Sequence, residues 1–496
     1  MNVHRILTRR PVSTALESLM WHDRVRGFVL SQVEKAMRKE AKACSPNVCL
    51  RQVQLDRLDC AVALLRGLDR VMRRGLVSRR FMRSILEAFL GNVFLNHETA
   101  EAEARLGFEP PSFLTISPTG RCNLKCKGCY ASDAALHGSR LDFATFDRIL
   151  REKREMWGSH FTVVSGGEPF LWEDDGHDLV ELAARHKQDI FMVYTNGTMI
   201  DDGLAKRLAD VGNVSPSFSV EGFEAETDAR RGGGVHSKVL DAMARLRRHG
   251  VPFGISATAT RHNWQIITSD EFADFYYGEQ GALYCWVFQY MPIGRDQCID
   301  LVVPPEQRVQ MIDRMWRLVR DRQIFMVDFW NSGTASLGCI AAGRGTGYFY
   351  INWDGDIMPC VFTPYAADNI HDVYARGDDL HDVLDLPLFK RIRDWQHDYG
   401  YDRPPQETDN WLCPCAIRDH FDQFAEAVRE CGARPITPEA KQAIEDPEYY
   451  AKMVEYGRRM KELLDPAWER DYLDRQPSRP PTVEPKRERD TVETGR

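Results

Sequence analysis

The sequence predicts an α/β chain: a partial (β/α)6 barrel of the TIM type, with an all-helical N-terminal region and a small cysteine-rich C-terminal extension. Three observations predict it. Short β-like runs alternate with helix-like ones from Phe113 to about Gly294. Apolar residues recur at helical spacing through residues 1–110. Cysteines punctuate the region from about Asp328 to Cys431.

In the N-terminal region, residues 1–110, the helix-like stretches are Leu16–Leu30, Leu58–Met72 and Phe81–Leu95. Residues 1–100 hold 18 Lys and Arg against nine Asp and Glu, whereas the whole chain carries −8. A basic segment of this kind suits an anionic partner. Arg73, Arg74, Arg79, Arg80 and Arg83 run into the apolar segment Ile85–Leu95, a pattern compatible with docking on a membrane surface. An ordinary amphipathic helix, or a basic face set against an acidic domain of the same chain, gives the same pattern. Peripheral membrane contact through residues 1–100 is the partner expected here, and no nucleic acid is expected.

Pro110 and Pro111 mark the entry to the barrel, residues 111–300. Its candidate strands are Phe113–Ser117, Phe161–Ser165, Ile190–Tyr194, Ser215–Val220, Phe253–Thr258 and Tyr284–Tyr290, with helices at Asp142–Trp157 and His236–His249 between them. Such alternation means parallel βαβ units with right-handed crossovers, and ligand sites belong at the C-terminal ends of the strands. A cysteine-bearing domain follows at 301–435, opened by a helix near Pro304–Arg322. A helical segment fills 436–475, and the Pro-rich, charged tail 476–496 is expected to be disordered.

Thirteen cysteines come without an apolar leader, and no window approaches the roughly 20 apolar residues of a membrane span. The expectation is a cytoplasmic protein whose thiols stay reduced or bind metal.

Cys122, Cys126 and Cys129, spaced C-x3-C-x2-C just after the first strand, form a compact soft-ligand set. A closed zinc site wants four protein ligands, and the nearest further one is His137. A [4Fe–4S] cluster on three cysteines leaves one iron open to an outside ligand. Strand two ends in Ser165-Gly166-Gly167-Glu168-Pro169, where paired glycines admit a ligand to the backbone and Glu168 offers a carboxylate. Strand three ends in Thr195-Asn196-Gly197, strand four in Ser219-Val220-Glu221, and Arg231 precedes a run of three glycines.

In the cysteine spacing and the GGEP run one βα unit later, the chain resembles the radical S-adenosylmethionine (AdoMet) superfamily. The resemblance implies an open iron chelated by the amino and carboxylate groups of AdoMet. It implies that Gly166, Gly167 and Glu168 receive the amino group and that Ser219 and Glu221 receive the ribose. Asn196 and Arg231 are further candidate contacts, Arg231 for the carboxylate. It also implies reductive cleavage of AdoMet to a 5′-deoxyadenosyl radical, hydrogen abstraction from substrate, and an electron donor such as flavodoxin or ferredoxin. Two positions depart from the family pattern: Gly128 stands where an aromatic residue is common, and Phe253-GISAT lacks the usual glycines.

Cys339, Gly355 and Cys360 are spaced C-x15-G-x4-C across an expected Asp354-Gly355 hairpin turn, and Cys413 and Cys415 follow. This arrangement resembles the opening of the SPASM/twitch extension. It implies one auxiliary [4Fe–4S] cluster, as in the shorter twitch form, on Cys339, Cys360 and Cys415 with Cys413 as fourth ligand. A zinc site at these cysteines is the competing reading. Cys44, Cys49, Cys60, Cys285 and Cys298 read as small buried hydrophobes. The substrate class stays open among peptide, lipid and small metabolite. The alternative from another class is a non-enzymatic iron–sulfur redox relay or metal-binding scaffold.

Overall fold

Ten strands join in one sheet that organises the chain. The computed structural model describes residues 21–43, 45, 49–85, 97–131, 139–293 and 298–473. The strands are β1 (Phe113–Ile116), β2 (Phe161–Val164), β3 (Ile190–Thr195), β4 (Val214–Val220), β5 (Gly254–Ala259), β6 (Cys285–Gln289), β7 (Met326–Asp328), β8 (Tyr350–Ile351), β9 (Asp356–Met358) and β10 (Asp368–Asn369). Their order is β10-β9-β8-β1-β2-β3-β4-β5-β6-β7. All pairings from β1 through β7 are parallel, as is β8 with β1. Strands β9 and β10 add antiparallel ladders. The six expected strands lie within one residue of the observed bounds.

Crossover helices cover the sheet where apolar residues recur every three or four positions. The helix Phe143–Trp157 starts at Asp142, whose side chain accepts from Thr145 N, and stops at Gly158 in the left-handed region. Phe146, Ile149, Leu150 and Trp157 are fully buried beneath it. The helix Val235–His249 stops at Gly250 in the same way.

The N-terminal region differs from its expected outline. Its helices are α1 (Asp23–Ala43), α2 (Arg51–Arg73), α3 (Arg79–Ile85) and α4 (His97–Leu106). α1 runs well past Leu30 because Ser31–Ala43 is rich in strong helix formers that carry no apolar period. The expected helix Phe81–Leu95 is described only as far as Ile85, and the remainder lies outside the described residues.

The expected domain boundaries at 110 and 300 do not separate cores. Val71, Met72, Val77, Phe81 and Met82 join the same apolar cluster as the barrel strands and β8–β9. A buried Arg26–Asp69 pair at 2.6 Å ties α1 to α2. A second cluster gathers Val53, Trp316, Trp411, Cys413, Met460 and Trp468, where α2, the helix Pro305–Arg320 and the C-terminal helix Pro447–Asp471 meet. Among the described residues no helix is long and apolar enough to cross a membrane. Cys60 and Cys285 are buried free thiols and Cys298 is half-buried. Cys49 is instead disulfide-bonded, which corrects its reading as a simple core residue; Cys44 and the tail 476–496 lie outside the described residues.

Candidate functional site

The polypeptide leaving β1 bends back over the end of β2, and the paired glycines make that approach possible. Gly167 N donates to Thr119 O and Glu168 N to Arg121 O, each at 2.9 Å. A Cβ on Gly167 would lie 2.2 Å from Arg121 O, so no side chain fits there. The loop therefore delivers Cys122, Cys126 and Cys129 to a cavity of about 480 Å3 inside the barrel. Gly166, Gly167, Asn196, Ser219 and Arg231 line the same cavity.

Cys122 Sγ accepts from Leu124 N at 3.4 Å and from Asn196 Nδ2 at 3.8 Å. Burial pushes the Cys122 thiol up to about 11 and raises Cys129 as well. Both thiols are therefore protonated at neutral pH in the metal-free chain, and metal binding must release those protons. Among the described residues no three Cys, His, Asp or Glu side chains are already gathered tightly enough to hold a metal ion. The soft donor set nonetheless fits an iron–sulfur group: three thiols face one enclosed space, with N–H donors aimed at a sulfur.

Glu168 and Glu221 do not line that cavity. Glu168 is fully buried; its Oε1 accepts from Thr195 Oγ1 at 2.7 Å and its Oε2 from Asn196 N at 2.8 Å. It thus fixes the turn after β3 that carries Asn196. Burial raises its pKa to about 7, with the hydrogen bonds from Asn196 and Thr195 opposing the rise. Glu221 Oε1 accepts from Arg230 Nη1 at 2.6 Å and Arg231 Nη2 at 2.5 Å, and its Oε2 from Thr258 N at 3.1 Å. Its carboxylate accepts from two guanidinium groups and one strand-end N–H.

The second cysteine group lies behind an aromatic wall. Phe362, on the cavity lining, packs 4.8 Å from Trp330 and 5.9 Å from Phe329 between ring centroids. Trp330 Nε1 donates to Cys415 Sγ at 2.8 Å, and Tyr348 OH lies 3.0 Å from Cys360 Sγ. Burial, then Asp419, Cys339 and Cys360 hold the Cys415 thiol well above its usual value. Cys413 stands apart. It is fully buried in the second apolar cluster, with its Sγ turned to Asn410 O at 3.8 Å. Cys413 and Cys415 lie in an irregular turn that runs into the helix Ala416–Asp419, so the alternation that would set residues i and i+2 on one face does not apply, and spacing alone did not separate them. The expected hairpin between Cys339 and Cys360 is formed by β8 and β9, with Gly355 at φ 82°.

Sequence reasoning missed several cavity residues. Tyr130 OH lies 2.6 Å from Ser165 Oγ and accepts from Gly166 N. Gln289 and Asp328, joined at 2.5 Å, come from the ends of β6 and β7. Arg57 reaches the lining from α2. Tyr130 directly follows the cysteine motif, the rule that strand ends bear function could have found Gln289 and Asp328, and Arg57 carries no such signal.

The model of the radical SAM superfamily matches residues 116–266, from β1 into the short helix Trp264–Ile267 after β5. Residues 116–266 of this chain are a radical SAM domain. It is 27% identical over 315 residues to the AdoMet-dependent heme synthase of Methanosarcina barkeri, covering 57% of this chain and 85% of that protein. It is 28% identical over 306 residues to the mycofactocin maturase MftC of Mycobacterium ulcerans, covering 58% and 79%. Among solved structures, Streptococcus suis SuiB bound to S-adenosylmethionine is 19% identical, covers 62% of this chain and 73% of that one, and superposes with a TM-score of 0.48. The radical SAM match spans the loop with Cys122, Cys126 and Cys129 and the glycine turn after β2. Relatives named as a synthase and a maturase stand against the reading of a passive metal scaffold.

Proposed function

We propose that this chain reductively cleaves AdoMet at a [4Fe–4S] cluster held by Cys122, Cys126 and Cys129, and abstracts hydrogen from a substrate in the barrel cavity. When bound, that cluster supplies the electron that breaks a carbon–sulfur bond of AdoMet and yields the 5′-deoxyadenosyl radical. The observation that carries the reading is convergence: three thiols, the paired glycines, Asn196 and Ser219 all open on one cavity. In this reading Gly166 and Gly167 let AdoMet approach bare backbone. Glu168 keeps Asn196 in place, and Glu221 keeps Arg230 and Arg231 in place. The apolar walls exclude water from reactive species.

A second [4Fe–4S] cluster on Cys339, Cys360 and Cys415 is part of the proposal. It is supported by the rise that Cys339 and Cys360 cause in the Cys415 thiol and by the Trp330 and Tyr348 hydrogen bonds to sulfur. The separation of Cys413 favours a ligand other than cysteine at the fourth position. A small electron-transfer protein such as flavodoxin or ferredoxin would supply the electron.

The test is anaerobic reconstitution followed by dithionite and AdoMet, with 5′-deoxyadenosine assayed against a Cys122/Cys126/Cys129→Ala control. Product from the wild-type chain alone supports the reading. A loaded cluster that yields none, with or without added cell extract, counts against it.

A further reading concerns location. Val25, Phe28, Val29 and Val33 form an exposed apolar stripe on α1, with Phe28 65% exposed. Exposed Arg24, Lys35, Lys39 and Lys42 share that helix. This combination favours peripheral contact with an anionic lipid surface. Co-sedimentation with phosphatidylserine vesicles that survives Phe28→Glu/Val29→Glu unchanged would remove the idea.

A further inference from the structure

Four charged side chains line the cavity, and three are already satisfied. Arg230 and Arg231 are bound to Glu221. Asp328 accepts from Gln289 Nε2 at 2.5 Å, Asn331 Nδ2 at 2.9 Å and the backbone N–H groups of Trp330 and Asn331. Arg57 makes no hydrogen bond or ion pair among the described residues. Its side chain is open to solvent, yet protein surrounds that space closely enough for burial to lower its pKa, with Glu109 and Tyr401 opposing the fall. The acid it senses, Glu109, is held by Tyr401 OH at 3.3 Å and lies beyond ion-pair reach of Arg57.

The position of Arg57 is informative. Glu109 precedes β1, and Phe113 and Phe161, the first residues of β1 and β2, line the cavity. Arg57 therefore belongs to the end of the cavity where β1 starts, and the cysteine triad to the end where it finishes. The rise of a four-residue strand separates them, roughly 13 Å. Between them the walls are mainly apolar: Met192, Phe288, Phe325, Val327 and Phe329. A largely apolar cavity with one solvent-open guanidinium that no group among the described residues binds suits a ligand with an apolar body and an oxyanion.

We propose that Arg57 anchors an oxyanion of the substrate, a carboxylate or a phosphate, at the end of the cavity opposite the cysteine triad. The inference rests on the reading of this cavity as the substrate site. It also gives the N-terminal helices a function: α2 supplies the group that orients substrate, while the barrel supplies the chemistry.

The experiment uses the reconstituted full chain and three probes of equal length: octanoate, octyl phosphate and octanol. Binding is measured by calorimetry. Octanoate or octyl phosphate should bind the wild-type chain at least 10-fold more tightly than octanol, because only the anions can make a charge-assisted hydrogen bond to the guanidinium. Arg57→Met should erase that preference, and Arg57→Lys should retain part of it. The tighter of the two anions identifies the headgroup. Equal binding of octanol and both anions to the wild-type chain overturns the proposal, as does a preference that survives Arg57→Met. Wild-type 5′-deoxyadenosine formation, assayed on the same preparation without probe, reports separately on the AdoMet reading.

Discussion

A Cβ on Gly128 would lie 2.6 Å from Cε2 of Tyr290, so these two residues share one space beside Cys129. Gly128 has φ 63°, a conformation that side chains rarely adopt. The buried Tyr290 ring, brought in from just past β6, occupies the volume that a residue at 128 would need. An aromatic ring therefore stands beside Gly128 although the cysteine loop itself carries none at that position.

Gly128→Ala should therefore destabilise the metal-free chain by about 1–2 kcal/mol from left-handed backbone alone, with steric strain added. Combining it with Tyr290→Ala should recover the steric part. A double-mutant cycle by urea unfolding should give a coupling of about 1 kcal/mol or more. A neutral Gly128→Ala, or additive effects, would break the link between the two positions.

The two cysteine groups should separate by iron content. Cys126→Ala should abolish 5′-deoxyadenosine formation. Cys360→Ala should lower iron by about one cluster's worth while AdoMet cleavage persists. Cys413→Ala should leave iron unchanged, because its thiol sits in the second apolar cluster away from Cys339, Cys360 and Cys415. An iron loss for Cys413→Ala equal to that for Cys360→Ala would restore it as a ligand.

The six barrel strands were legible because apolar runs such as Phe161–Val164 and Phe191–Val193 are buried on both faces and bounded by turns. The sheet's outer strands were not. Met326–Asp328 and Tyr350–Ile351 are two or three residues long, too short for any periodicity, and pair only because the tertiary fold delivers them. The same limit applies to the site. Cys122, Cys126 and Cys129 stand in one loop with a readable spacing, whereas Arg57 reaches the cavity from a helix 56 residues before β1. Nor does a carboxylate in a motif reveal which way it faces: Glu168 and Glu221 point into the protein because strand-end N–H groups and arginines need partners there.

Glu168 should make stability depend on pH. Burial raises its pKa from the ordinary 4.5 to about 7, so its contribution is fully present below pH 4.5 and is lost as pH rises through about 7. In the metal-free chain, unfolding free energy should fall between pH 5 and pH 8 more steeply for wild type than for Glu168→Gln. Identical slopes in urea titrations would show that this carboxyl does not titrate as its burial requires.

Arg308 and Asp419 form a two-pronged ion pair, at 2.5 and 3.1 Å, with both side chains fully buried. Asp419 Oδ2 also accepts from Cys415 N at 3.2 Å, and Arg308 Nε donates to Asn331 Oδ1 at 2.6 Å. The pair therefore clamps the turn that presents Cys415. Burial alone would raise the Asp419 pKa, but the charge and hydrogen bonds of Arg308 hold it below the usual 3.8. Its stabilisation is present above pH 3.8 and is lost as pH falls through the lower folded value, so it is intact at neutral pH. Asp419→Asn should strand the buried guanidinium and cost about 3–5 kcal/mol at pH 7, measured by urea unfolding. Arg308→Met/Asp419→Leu should recover most of that stability, since an apolar pair of similar volume replaces the ions. It should still lower the iron bound at the second cysteine group, because nothing then holds the Cys415 amide. Full iron loading in the double variant would show that the clamp serves folding alone.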